Sequence, residues 1–136
     1  MNKRIVVVGI IKKDNQILLG QKTPKTGPYP DTWHIPGGGV NLENEDTEKA
    51  LKREIKEETN LTVTNLKKVA WDTDIEPNKH GEKTYYIFLQ YTCNYKKGEL
   101  KAGDDKHKFK WVNIKNLSGY NLNKPKKVLE KLEMYN

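Results

Sequence analysis

The stretch Gly37 to Leu61, GGGVNLENEDTEKALKREIKEETNL, constrains this chain more than any other. It opens on three glycines after Pro36 and closes on Glu54, Glu57 and Glu58, whose spacings of three and four predict a helix with three carboxylates on one face. On a wheel with Leu51 at zero, Ile55 lies about 40° to one side, and Glu58, Glu54 and Glu57 about 20°, 60° and 120° to the other. Lys49, Lys52 and Lys56 take the opposite side. A solvated face laced by four-residue Glu–Lys pairs is the ordinary explanation of a charged helix, and Glu48 with Lys52 fits it. The three glutamates do not. They border the apolar stripe, where desolvated carboxylates are costly unless a cation neutralises them. A hard divalent ion with oxygen ligands meets that need, and Mg²⁺ bound through a few carboxylates and completed by water or substrate phosphate is its usual form.

The same residues resemble the signature of the Nudix hydrolases, which reads Gly, five residues, Glu, seven residues, then Arg-Glu-aliphatic-any-Glu-Glu-any-Gly-aliphatic. Here Gly39 and Glu45 are followed by Arg53-Glu54-Ile55-Lys56-Glu57-Glu58-Thr59-Asn60-Leu61. The one departure is Asn60 in place of the last glycine. That position follows the helix end, where a left-handed backbone is wanted and Asn is the commonest substitute for Gly. Three consecutive glycines leave either Gly38 or Gly39 in the first signature position.

The resemblance implies an α/β/α sandwich with a mixed β-sheet between helices. It also implies attack of water on a phosphoryl group of a nucleoside diphosphate linked to another moiety. By the same likeness Glu54, Glu57 and Glu58 are ligands of Mg²⁺, for which Mn²⁺ can substitute, and the carbonyl of Gly38 or Gly39 is a further ligand. Arg53 belongs to the catalytic group as a brace for a glutamate, and Glu45 supports the loop or the outer metal shell. The general base is Glu54, Glu57 or an acid from a distant loop, where Asp104 and Asp105 are the candidates. On composition alone, two adjacent aspartates between Gly103 and Lys106 are a solvated turn. Gly37, Gly38 and Gly39, with Trp33 and Tyr86, form the expected substrate site.

A chain of 136 residues is a normal size for a single domain, here 1–136, with 35% apolar residues in clear runs against 32% charged ones. That balance argues against disorder. Cys93 is the sole cysteine, so no internal disulfide exists and a reducing, cytoplasmic location is expected. The apolar run Ile5 to Ile11 follows Lys3-Arg4 but is short, lacks a small-residue cleavage site and continues into Lys12-Lys13-Asp14, so it reads as a buried strand. No segment approaches membrane-spanning length. The net charge is +7, and seven of the 18 acids fall between Glu43 and Glu58 beside four bases, leaving 11 acids and 21 bases elsewhere. That positive remainder could attract anionic nucleotides, although solubilising lysines explain most of it equally well.

In chain order, Arg4 to Ile11 reads as a central strand, Asp14-Asn15 as a turn and Gln16 to Gly20 as the partner strand of a hairpin. Gln21 to Pro30 is a loop. Asp46 or Asn44 caps the helix that runs to about Thr59. Strands are expected over Leu61–Trp71, Thr84–Tyr95 and Phe109–Val112, with polar loops over Asp72–Lys83 and Lys96–Lys108. A terminal helix covers Pro125–Tyr135, with Val128, Leu129 and Leu132 as its apolar face. His34, His80 and His107 lack metal-ligand spacing, and Cys93 reads as a core thiol.

Beyond the signature, looser matches (the Gly27–Trp33 approach, the aromatic strand after Gly81-Glu82-Lys83, Trp111-Val112 and Tyr120-Asn121-Leu122-Asn123) resemble the family's bacterial nucleoside triphosphatases that prefer pyrimidine deoxynucleotides. A nucleoside triphosphate cleaved to monophosphate and pyrophosphate is therefore the expected substrate. ADP-ribose or another nucleotide sugar is the alternative. A non-catalytic nucleotide- or RNA-binding module is the alternative of another class, and the complete glutamate set argues against it. The expected partner is a small-molecule nucleotide rather than a membrane or nucleic acid, and a homodimer is left open.

Overall fold

The computed structural model describes residues 1–22, 32–101, 107–122 and 124–134. Strand β1 (Asn2–Lys13) lies at the centre of a six-stranded mixed sheet, with Val7 and Ile11 buried on one face and Ile10 on the other. On one edge it pairs in parallel with β5 (Lys83–Lys97), from Asn2↔Thr84 to Lys12↔Asn94. On the other edge Val6–Val8 pair with β3 (Gly37–Gly39), and Lys12 and Lys13 turn into β2 (Gln16–Lys22) through Asp14, whose φ is 54°. Strand β4 (Thr62–Pro77) closes the sheet beside β5, and β6 (His107–Asn113) closes it beside β2.

Two helices cover opposite faces. Helix α1 (Thr47–Thr59) buries Ala50, Leu51 and Ile55 against Val7, Ile11, Leu18, Tyr91 and Cys93. Helix α2 (Lys124–Lys131) buries Val128 and Leu129 against Ile10, Ile17, Leu19 and Val112, joined there by Leu117 of the 3₁₀ helix Ile114–Gly119. The alternation of β1 and β2 thus serves two cores, and the layered α/β/α order expected from the sequence is the observed one.

Three elements differ from the sequence reading. Strand β4 runs to Pro77 through Asp72–Glu76, which composition marks as loop. It is an edge strand, so one side of its backbone meets water, and the Asp72 and Asp74 carboxylates accept from the next backbone N–H, those of Thr73 and Ile75, each at 2.9 Å. The real turn is Asn78–Glu82, with Gly81 at φ 78°. The three glycines, to which the sequence reading gave no strand, form β3. The last helix ends at Lys131, where Glu133 at φ 59° and the bond from Met134 N to Leu129 O terminate it.

Candidate active site

Helix α1 begins at the Asp46 cap, whose carboxylate accepts from Lys49 N at 2.8 Å, and ends at Asn60, which has φ 69° and ψ 9°. Its glutamate-bearing face meets β3. Gly38 lies directly against Glu54: a Cβ there would meet the Glu54 carboxylate and push the end of that side chain aside. Gly37 N donates to Glu58 Oε1 at 3.2 Å.

Arg53 ties the rest together. Its Nε and Nη2 donate to Glu45 Oε2 (3.0 Å) and Oε1 (2.7 Å), a bidentate pair. Nη2 also donates to Gly39 O at 3.1 Å. Nη1 donates to Glu54 Oε1 at 3.0 Å and to Glu57 Oε2 at 3.2 Å. One guanidinium therefore fixes the loop through Glu45 and Gly39 and draws two helix carboxylates to a single point. Glu45 also accepts from Asn41 N at 2.7 Å. These bonds, Arg53 first and the Asn41 amide second, hold its carboxyl at about 2, and the same contacts push the Arg53 guanidinium upward.

Glu54 has a side chain 18% exposed, whereas that of Glu57 is 59% exposed. Among the described residues, no three His, Cys, Asp or Glu side chains close on a common point. Glu54 and Glu57 meet at Arg53 Nη1, while Glu58 turns to the Gly37 amide. The donor set still suits a hard divalent cation. Its groups are all oxygens, Gly38 brings backbone against Glu54, and Mg²⁺ keeps much of its shell as water and substrate phosphate and needs only one or two carboxylates.

Trp33 is half-buried, edge-on to Tyr120 at 5.3 Å, with Lys110 Nζ 5.3 Å from its ring centre. Tyr86 is only 6% exposed and stacks on half-buried Phe88 at 5.6 Å, so a base reaching this face meets Phe88 first. Asp104 and Asp105 lie outside the described residues. The chain before them is anchored to α1, since Lys101 Nζ donates to Glu57 O at 2.7 Å and Lys101 N to Thr59 O at 3.2 Å. Sequence reasoning passed over Arg4. Its guanidinium lies against Gly39, where an added Cβ would strike it, and the only hint was a cation opening a strand otherwise buried.

The NUDIX domain is matched over residues 1–134. This chain belongs to the Nudix family. It is a Nudix hydrolase, an enzyme of phosphoanhydride bonds, and the family generally requires divalent metal ions. The chain is similar to the nucleoside triphosphatase NudI of Escherichia coli K12, with 32% identity over 129 residues that span 90% of this chain and 91% of that protein. Among solved structures, it is similar to the MutT NUDIX hydrolase from Burkholderia pseudomallei, with a TM-score of 0.78, 23% identity and coverage of 96% and 98% of the two chains. The MutT protein from Bacillus halodurans gives a TM-score of 0.77 at 22% identity, covering 98% of this chain and 83% of that one. At such identities the two structures bear on the fold of this Nudix chain alone. No helix among its described residues is long and apolar enough to cross a membrane.

Proposed function

We propose that this Nudix hydrolase cleaves a nucleoside triphosphate between the α and β phosphorus atoms, releasing the monophosphate and pyrophosphate, in the cytoplasm and with Mg²⁺ as its metal. Pyrimidine deoxynucleotides are the class to test first. The observation that carries this reading is the Arg53 hub, which joins Glu45, the glycine strand and the Glu54–Glu57 pair into one preorganised acidic face beside a half-buried, side-chain-free backbone. The similarity to NudI supports the choice of a triphosphate.

Glu54, Glu57, Glu58 and the Gly38 carbonyl would hold the metal, and Mn²⁺ could replace Mg²⁺ there. When bound, such an ion neutralises phosphate charge and lowers the pKa of a coordinated water. The chain's own residues do the rest. The side-chain-free strand Gly37–Gly39 lets the phosphates approach the backbone, and Arg4 beside Gly39 adds positive charge on that strand. Arg53 acts as a positioning residue that fixes the carboxylate directions. The proton of the attacking water goes to Glu54, Glu57 or an acid of the Asp104–Asp105 segment, and pyrophosphate departs as the α–β bridging bond breaks. Trp33, with Phe88 backed by Tyr86, would border the nucleoside.

Incubation with a panel of deoxynucleoside and nucleoside triphosphates and nucleotide sugars, with products separated by ion exchange, tests this. We expect monophosphate and pyrophosphate in a 1:1 ratio from triphosphates. Diphosphate with orthophosphate would refute the placement of the substrate, and cleavage of nucleotide sugars alone would refute its class.

A further inference from the structure

Two adjoining grooves lie at the end of the sheet remote from the glutamates. The first, about 240 Å³, is lined by Lys12, Asn65, Lys67, Thr92 and Asn94. At about 30 Å³ per water it holds roughly eight water molecules, room for a tetrahedral oxyanion with part of its hydration. The second, which shares Lys12 and Asn94, is lined also by Lys13, Asp14 and Tyr95.

The first groove follows from the sheet's register. Lys12 pairs with Asn94, and Lys67 with Thr92, so Lys12 on β1 and Lys67 on β4 flank β5 on one face. They stand two strand spacings apart, about 10 Å between backbones, close enough for two lysine side chains to converge on one small ion. Residues 65 and 66 are unpaired between Thr64 and Lys67, and Asn65 takes φ 55°. This bulge opens β4 away from β5 there. The floor is Thr92, only 7% exposed, with Lys12 and Asn94 half-buried. Lys131 of α2, which donates to Val69 O at 3.1 Å, adds a further cation near β4.

The chemistry of the lining is one-sided. Two ammonium groups, two amides and a hydroxyl can all donate hydrogen bonds, and among the described residues no carboxylate lines this groove. Neither Lys12 nor Lys67 makes an ion pair with a carboxylate of the described residues. Half-buried Lys12 and exposed Lys67 carry like charge across β5, and an anion between them would offset their mutual repulsion. The adjoining groove is different, because Asp14 lines it and Lys13 is held over the rings of Tyr95 (4.6 Å) and Trp111 (5.4 Å).

We propose that the Lys12–Lys67 groove is a second anion site, which takes inorganic phosphate or pyrophosphate independently of the glutamate face. Lys12 lies five residue steps along β1 from Val7, the residue opposite Gly38, or about 17 Å at 3.3 Å per step. The two sites are therefore too far apart to share one phosphate. The assignment does not rest on the triphosphate reading.

The test is a titration of ¹⁵N-labelled protein with sodium phosphate, then with pyrophosphate, in EDTA, against sodium chloride of matched ionic strength. We expect saturable shifts of the Lys12, Asn65, Lys67, Thr92 and Asn94 amide signals with phosphate or pyrophosphate, and little with chloride. Lys67→Gln, on the exposed edge strand, should weaken the affinity at least fivefold and leave kcat on the triphosphate unchanged. Lys12→Gln with Lys67→Gln should abolish saturation. If that double variant does not fold, Lys67→Gln alone decides. Equal affinity in Lys67→Gln, shifts confined to Gly37–Gly39, or identical effects of chloride would each overturn the proposal.

Discussion

Arg53 donates to five acceptors, and Lys cannot take over its bidentate grip on Glu45. Arg53→Lys should therefore lower kcat roughly 10- to 100-fold, the usual scale for a residue that orients metal-binding carboxylates. Glu57→Gln keeps the shape and removes a charge. Because Glu57 is mostly exposed, its melting temperature should barely move while turnover falls at least about tenfold. Near-normal rates in Glu57→Gln, or full activity in excess EDTA, would refute the metal assignment. Glu45 adds a pH signature. Its carboxyl is held at about 2, against about 4.3 for an unfolded glutamate, so as pH falls the unfolded chain takes up the proton first. Its contribution is complete above about pH 4.3 and fades as pH drops toward 2. Melting curves from pH 6 to 3 should fall more steeply for the native protein than for Glu45→Gln, and parallel curves would show that the Arg53–Glu45 pair does not couple to folding.

At the scale of the element, α1 is delimited by a cap at each end. Asn60 stands in the left-handed region, where glycine would be relaxed by up to about 1 kcal/mol, but its Nδ2 also donates to Glu99 O at 3.0 Å. An exposed bond of that kind contributes about 0.5–1 kcal/mol, so the two effects offset each other. Asn60→Gly should change stability by less than about 0.5 kcal/mol, whereas Asn60→Val, β-branched at positive φ, should cost about 1–2 kcal/mol or more. Urea denaturation of the three proteins checks this, and equal midpoints would mean that the helix does not end in a strained position. Elements with strong periodicity, such as β1, β5 and α1, were legible in the sequence. Asp72–Glu76 was not, because an edge strand with one solvated side has the composition of a loop. The glycines of β3 were not legible either, since pairing with Val6–Val8 is a long-range contact that glycine propensity opposes.

For the whole molecule, the two cores on either side of β1 and β2 place Cys93 in the α1 layer, where burial pushes its thiol up to about 12. It should resist a disulfide reagent such as DTNB in the folded protein and react at once in denaturant; rapid reaction of the native protein would mean that this layer opens. The unfolded thiol loses its proton near pH 8.5 and the folded one much later, so this residue's contribution to stability declines as pH rises above about 8.5.

The sequence by itself determined what depends on near neighbours: three carboxylates on one helix face, a helix start capped by Asp46 or Asn44, the left-handed stop at Asn60 and the alternation that builds a sheet between helices. Helical and strand periodicities are local, so spacing alone reveals them. Only the tertiary structure decided which groups those carboxylates meet. It turned Glu58 to the Gly37 amide, brought Glu54 and Glu57 to one nitrogen of Arg53, set Arg4 beside Gly39 and placed Lys12 across β5 from Lys67. Each of those contacts depends on strand register, a bulge in β4 or the docking of α1. These are set by the packing of distant segments, which no local pattern encodes.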